Sequence, residues 1–127
     1  MLGETPLIAF VCATDADRVK NFYVEVLGLQ LIAEEPPFAL VLDSNGVMVR
    51  VSLLREFQPA PFTVLGWEVD DIAAKVQVLA AKGVRFTRYP HFEQDAHGVW
   101  TSPDGTKVAW FKDRDENTLS LTEFPSA

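Results

Sequence analysis

At 127 residues, 48% of them hydrophobic, the chain is long enough to bury one core. A formal charge of −7 argues against a nucleic-acid partner, which needs clustered Lys and Arg. No apolar run nears about 18 residues and no basic-then-apolar segment opens the chain, so neither a membrane span nor a signal peptide is expected.

The single cysteine, Cys12, cannot form an internal disulfide, which suits a reducing, cytoplasmic setting. It sits in Pro6 to Ala13, a continuous apolar run of strand length that reads as a buried strand. Thr14, with Asp17 three residues on, offers an N-cap and an acidic first turn. Val19, Phe22, Tyr23, Val26 and Leu27 then fall on one face of a helix, and Gly28 supplies its C-cap. Three strand-like pieces follow, Leu29 to Glu34, Phe38 to Asp43 and Val47 to Leu54. Pro36-Pro37 separates the first two, and Asn45-Gly46 is a hairpin signal between the others. Gln58 to Pro61 has the composition of a linker.

The pattern then restarts. Phe62 to Val69 reads as a strand, Asp70-Asp71 opens a helix with Ile72, Val76, Leu79 and Ala80 on its apolar face, and Gly83 ends it. Gly28 and Gly83 are 55 residues apart, and so are Lys20 and Lys75 inside the two helices. This is an internal duplication, with a first module over about 5–56 and a second over about 62–124. Gly98 to Phe124 completes the second module as three short strands around the turns Pro103-Asp104-Gly105 and Asp115-Glu116-Asn117, the last alternating Leu119 and Leu121 against Thr118, Ser120 and Thr122. Neither module covers its helix and sheet face alone, and pairing two does.

Phe22-Tyr23-Val24-Glu25-Val26-Leu27-Gly28 resembles the end of the first helix in the vicinal-oxygen-chelate superfamily, the glyoxalase, bleomycin-resistance and extradiol-dioxygenase proteins. Glu68-Val69-Asp70-Asp71-Ile72 and Lys82-Gly83-Val84 resemble its second-module start. The resemblance implies an α+β fold for the single domain 1–127: two tandem βαβββ modules forming a curled, half-open mixed sheet around a cavity, helices outside. It also implies a homodimer. In metal-dependent members of the family, four cavity positions supply His, Glu or Gln. Here those slots fall on Ile8, Arg50, Val64 and Ser120, and the usual Asp-Pro-Asp-Gly-Asn turn reads Asp113-Arg114-Asp115-Glu116-Asn117. Such side chains do not hold a divalent metal, so no metal and no cofactor are expected.

Strand parity suggests what replaces it. Val49, Val51 and Leu53 claim the helix side, leaving Met48, Arg50 and Ser52 toward the cavity, with Ile8, Phe10 and Cys12 from the first strand and Phe62, Val64, Gly66 and Glu68 from the fifth. Arg50 is an anchor for an anionic ligand, one half of an internal ion pair with Glu68, or an arginine reaching the rim. Trp67 belongs under a helix, while Trp100 and Trp110 are either core or ligand walls. The candidate ligand-binding residues are therefore Phe10, Arg50, Ser52, Glu68, Trp100, Trp110 and Ser120. His91 and His97 bracket a polar loop that reads as a solvated lid able to bring an acid or base over the cavity, with weak metal spacing beside Glu93 and Asp95. Cys12 reads as a buried, inert thiol. The expected partner is a small organic molecule, held without a metal. A glyoxalase-like lyase, isomerase or dioxygenase is the alternative.

Overall fold

The computed structural model describes residues 1–126 and divides into two compact units, Met1–Pro59 and the remainder from Ala60. In the first unit, a short 3₁₀ turn precedes β1 (Ile8–Ala13), α1 (Ala16–Val19), a π-helical continuation (Lys20–Val26), β2 (Gln30–Glu35), β3 (Ala39–Ser44) and β4 (Val47–Leu53). The second contains β5 (Thr63–Glu68), α2 (Ile72–Ala81), β6 (Trp100–Thr101), β7 (Lys107–Lys112) and β8 (Thr118–Glu123). Each unit is a four-stranded mixed sheet of one topology: β1-β4-β3-β2 in the first and β5-β8-β7-β6 in the second. β1 runs parallel to β4 and β5 parallel to β8, the other pairs being antiparallel. The repeat read at a 55-residue offset in the sequence is thus a repeat of architecture.

Helix ends and turns follow local chemistry. Asp15, not the expected Thr14, caps the first helix: its Oδ1 accepts from the backbone N–H groups of Asp17 and Arg18. A carboxylate one residue further on reaches those donors, and Thr14 Oγ1 instead accepts from the Arg18 guanidinium. Asp71 caps α2 through the Ala74 N–H, and Glu123 of β8 accepts from Ile72 N–H at 2.9 Å, placing a second carboxylate at the positive end of the helix dipole. Asn45 and Gly46 both take positive φ, 50° and 91°, as a two-residue turn matched to strand twist requires. Asp113 organises the last turn, accepting from the Asp115 and Asn117 N–H groups and from the Asn117 side chain.

Strand parity sorts each sheet into a packed and an open face. Leu40, Leu42, Val49 and Val51 are buried in the first unit, where the π-helix lies against the sheet at β2. In the second, Ala109, Phe111, Leu119 and Leu121 are buried, on the sheet whose strands β7 and β8 meet α2. Trp67 belongs to this packed face, stacking on Phe111 with ring centroids 6.4 Å apart. β1 departs from expectation. Val11 and Ala13 are buried, but Ile8 and Phe10 remain 44% and 63% exposed. A run of apolar residues therefore marks a strand here without marking both of its faces as buried.

Candidate functional site

In the first unit, the open face carries Phe10 and Arg50 opposite one another across the β1–β4 ladder, with Ser52 next to them opposite Cys12. Arg50 does not take Glu68, which lies in the other unit, as its partner. Glu35 at the end of β2 stands on the same face and accepts from the guanidinium at 2.7 Å. The cause is register: Arg50 pairs with Val41, and Val41 with Ala33, two residues short of Glu35. The hydrogen bond from Arg50, then its charge, hold the Glu35 carboxyl below its ordinary value, and the same contacts raise Arg50. The internal-pair reading of Arg50 thus acquires a structural partner, while Cys12, expected to be buried, is half-buried.

The second unit concentrates aromatic rings on its open face. Trp110 is cross-strand partner to Ser120 and Trp100 to Val108, and the two indoles lie 6.2 Å apart. The segment after Phe86 returns over them. Phe92 lies parallel to Trp110, at 5.2 Å and an interplanar angle of 4°, and 4.7 Å from Trp100. Tyr89 meets Trp110 edge-on at 5.3 Å, and His91 lies 4.4 Å from Phe92. Offset and edge-on pairs of this kind stabilise by about 0.5–1.5 kcal/mol each beyond their buried area. Phe62, Tyr89, His91, Phe92, Trp110 and Thr118 line an open cavity of about 280 Å³. The two indoles pack on one another, and of the two only Trp110 lines this cavity.

The loop between His91 and His97 is largely exposed, as its polarity suggests, but it is held in place. Gln94, part-buried, ties it down from within. Its Oε1 accepts from Tyr89 N–H at 2.7 Å, and its Nε2 donates to the Thr87 and Gly98 carbonyls, both at 2.8 Å. Asp95 Oδ1 adds bonds from the N–H groups of His97 and Val99. The amide of glutamine can donate and accept at once, which this arrangement requires. His91 and His97 end up lining different cavities: His97 faces one with Val84, Phe86 and Arg88.

Ser120 is buried beside Gly66, where a Cβ would come within 2.8 Å of Ser120 Oγ. Glu68 is exposed and lines a groove with Asp70, Asp71 and Lys75, apart from the aromatic cavity. The four positions that carry metal ligands elsewhere offer an aliphatic side chain at Ile8 and at Val64, a paired guanidinium at Arg50, and one hydroxyl at Ser120. That donor set does not fit a divalent metal. Among the described residues no group of three or more His, Cys, Asp or Glu side chains is placed to hold one.

Tyr89, Phe92, Gln94 and Thr118 are the site residues that sequence reasoning missed, whereas strand parity had already turned Phe62 toward a cavity. The density of aromatic residues from Phe86 to Phe92 is a signal for the rings, whereas nothing in the sequence distinguishes Gln94 from a solvated polar residue.

The family model of the Glyoxalase/Bleomycin resistance protein/Dioxygenase superfamily matches residues 7–121. No functionally curated protein matches the sequence. Among solved structures, a glyoxalase family protein from Enterococcus faecalis is similar at 21% identity and TM-score 0.75, covering 97% of this chain and 100% of that one. TioX from Micromonospora sp. ML1 is 19% identical with TM-score 0.71, over 95% of this chain and 99% of its own. Lactoylglutathione lyase from Agrobacterium tumefaciens is 14% identical with TM-score 0.68, over 94% and 93%. At these identities the likeness is one of fold.

Proposed function

The chain belongs to the Glyoxalase/Bleomycin resistance protein/Dioxygenase superfamily, and from that premise we propose that it binds a small planar organic molecule, without a metal, on the open face of its second sheet. One observation carries this reading: a cavity of about 280 Å³ walled by Phe62, Tyr89, His91, Phe92 and Trp110. An apolar concavity with a few polar groups is the usual form of a small-molecule site. Here Thr63, Thr118, Tyr89 and His91 supply the polar groups. The missing donor set at Ile8, Arg50, Val64 and Ser120 supports the metal-free part.

His91 in the cavity wall favours a second reading, a glyoxalase-like lyase or isomerase in which an imidazole, rather than a metal, moves a proton. The two readings differ in turnover.

The test is a thermal-shift screen against planar aromatic compounds, repeated with Trp110→Ala and with EDTA. A ligand at one hundred times its Kd stabilises the native state by about 2.7 kcal/mol, a shift of several degrees for a domain of this size. The shift is expected to vanish in Trp110→Ala and to survive EDTA. A hit that Trp110→Ala leaves intact places the ligand elsewhere, and loss of the shift with chelator refutes the metal-free reading. Chromatography of each hit after incubation separates binding from turnover.

A further inference from the structure

The aromatic cavity does not end at His91. That residue also lines a second, polar cavity of about 540 Å³, whose walls include Trp100, Thr101, Glu93 and Asp95. Trp110 belongs to the first cavity and Trp100 to the second, and Phe92 packs on both indoles. The ring wall is therefore continuous from one cavity into the other.

The two cavities differ in charge. Among the residues lining the aromatic one there is no Asp, Glu, Lys or Arg. The polar one has Glu93 and Asp95 as its only charged side chains, both acidic, and among the described residues neither forms an ion pair. Arg88, the nearest cation in the sequence, spends its guanidinium on the backbone carbonyls of Gln94 and Asp95. Asp95 is held by the N–H groups of His97 and Val99, so its place in the wall is fixed. No side-chain bond ties Glu93 down, and it is exposed, free to turn toward a ligand.

We propose that the ligand is a planar aromatic molecule bearing a basic group, its ring between Phe62 and Trp110 and its cation past His91, beside Glu93 and Asp95. This rests on the binding reading above and adds the ligand's charge and orientation. A carboxylate or phosphate in the second cavity would meet two like charges, and in the first it would shed water with no countercharge. A cation meets two carboxylates beside an indole. The chain's overall charge of −7 favours its approach in the same sense.

One ring with three substituents tests this: 2-naphthylmethylamine, 2-naphthylmethanol and 2-naphthoate, each titrated calorimetrically into the full chain at low salt. The pairing is solvent-exposed, so the amine is expected to bind about two- to fivefold more tightly than the alcohol. The naphthoate should bind most weakly, and the amine's advantage should shrink at high salt. In Glu93→Gln the amine-to-alcohol ratio should fall toward one. Naphthoate binding as tightly as the amine, or a ratio unchanged in Glu93→Gln, overturns the inference. Equal binding of all three, lost in Trp110→Ala, overturns the inference and leaves the binding reading standing. If none of the three binds, the binding reading fails and the inference with it.

Discussion

Replacing Gln94 by methionine, which is close in length and shape but lacks the amide, should release the segment that carries Tyr89, His91 and Phe92. The change removes three hydrogen bonds of 2.7 to 2.8 Å, one accepted from Tyr89 N–H and two donated to the Thr87 and Gly98 carbonyls. At about 0.5–1.5 kcal/mol net apiece, the loss is about 2–4 kcal/mol if the loop stays seated with those groups unpaired. If the loop lifts and water satisfies them, the stacking of Phe92 on Trp100 and Trp110 goes instead, again about 0.5–1.5 kcal/mol for each pair. By either route the cost is about 2–3 kcal/mol. With a urea m-value of about 1–3 kcal/mol/M, the midpoint should fall by roughly 0.7–3 M. Hydrogen exchange at the Tyr89 amide should accelerate more than tenfold. Acrylamide should quench the fluorescence more strongly, because two of the three tryptophans lie under the loop. Gln94→Glu should not restore the fold of the loop: a carboxylate keeps the acceptor for Tyr89 N–H but faces two carbonyls with no donor. A methionine variant whose midpoint, Tyr89 exchange and quenching all match the parent would show that the glutamine does not hold the loop.

Three further outcomes follow from contacts described above. The Glu35 carboxyl is held below its ordinary value of 4.5 by Arg50, so its contribution is fully present above about pH 4.5 and is lost as pH falls through the lower folded value. The difference in melting temperature between the parent and Glu35→Gln should accordingly be constant near neutrality and close at more acidic pH, and a gap that widens there would refute the pairing. Gly66→Ala places a Cβ 2.8 Å from Ser120 Oγ and should cost about 1–3 kcal/mol in thermal unfolding, with Ser120→Ala in the same chain recovering part of it. Glu123→Ala removes the acceptor for Ile72 N–H and a charge at the start of α2, worth about 1–2 kcal/mol together, and Glu123→Gln should recover the hydrogen-bond share.

The elements of the fold were readable because their signals are local. Period-2 alternation in Thr118 to Phe124 and the positive φ that Asn45-Gly46 and Gly83 must adopt rest on residues a few positions apart, and the 55-residue offset is a recurrence of such local signals. Parity also separated Val49 and Val51 from Arg50 correctly, because a strand leaves only two directions for a side chain. Partners were harder. Parity offers Glu68 to Arg50, whereas the β2–β3–β4 register, shifted by a bulge between Leu31 and Ala33, brings Glu35 to it. The aromatic cavity was partly visible, through Phe62 and Trp110. Another part comes from residues 87–98, which have no periodicity and take their shape from Gln94, a residue whose polarity alone predicts a place in water. Thr14 lost the cap to Asp15 for a similar reason, since one residue of reach decides between two competent oxygens.

The open face of the first sheet bears on how the protein behaves at high concentration. Ile8, Phe10 and Met48 stand exposed on neighbouring strands of that face. Patches of that kind attract one another when copies collide. Near neutral pH the charge of −7 sets a long-range repulsion against that attraction. The sequence isoelectric point is about 4.7, so the repulsion fades in mildly acidic buffer while the apolar patch is unchanged. Turbidity should therefore rise toward that pH before the fold itself is lost, a colloidal limit set by surface chemistry rather than by stability.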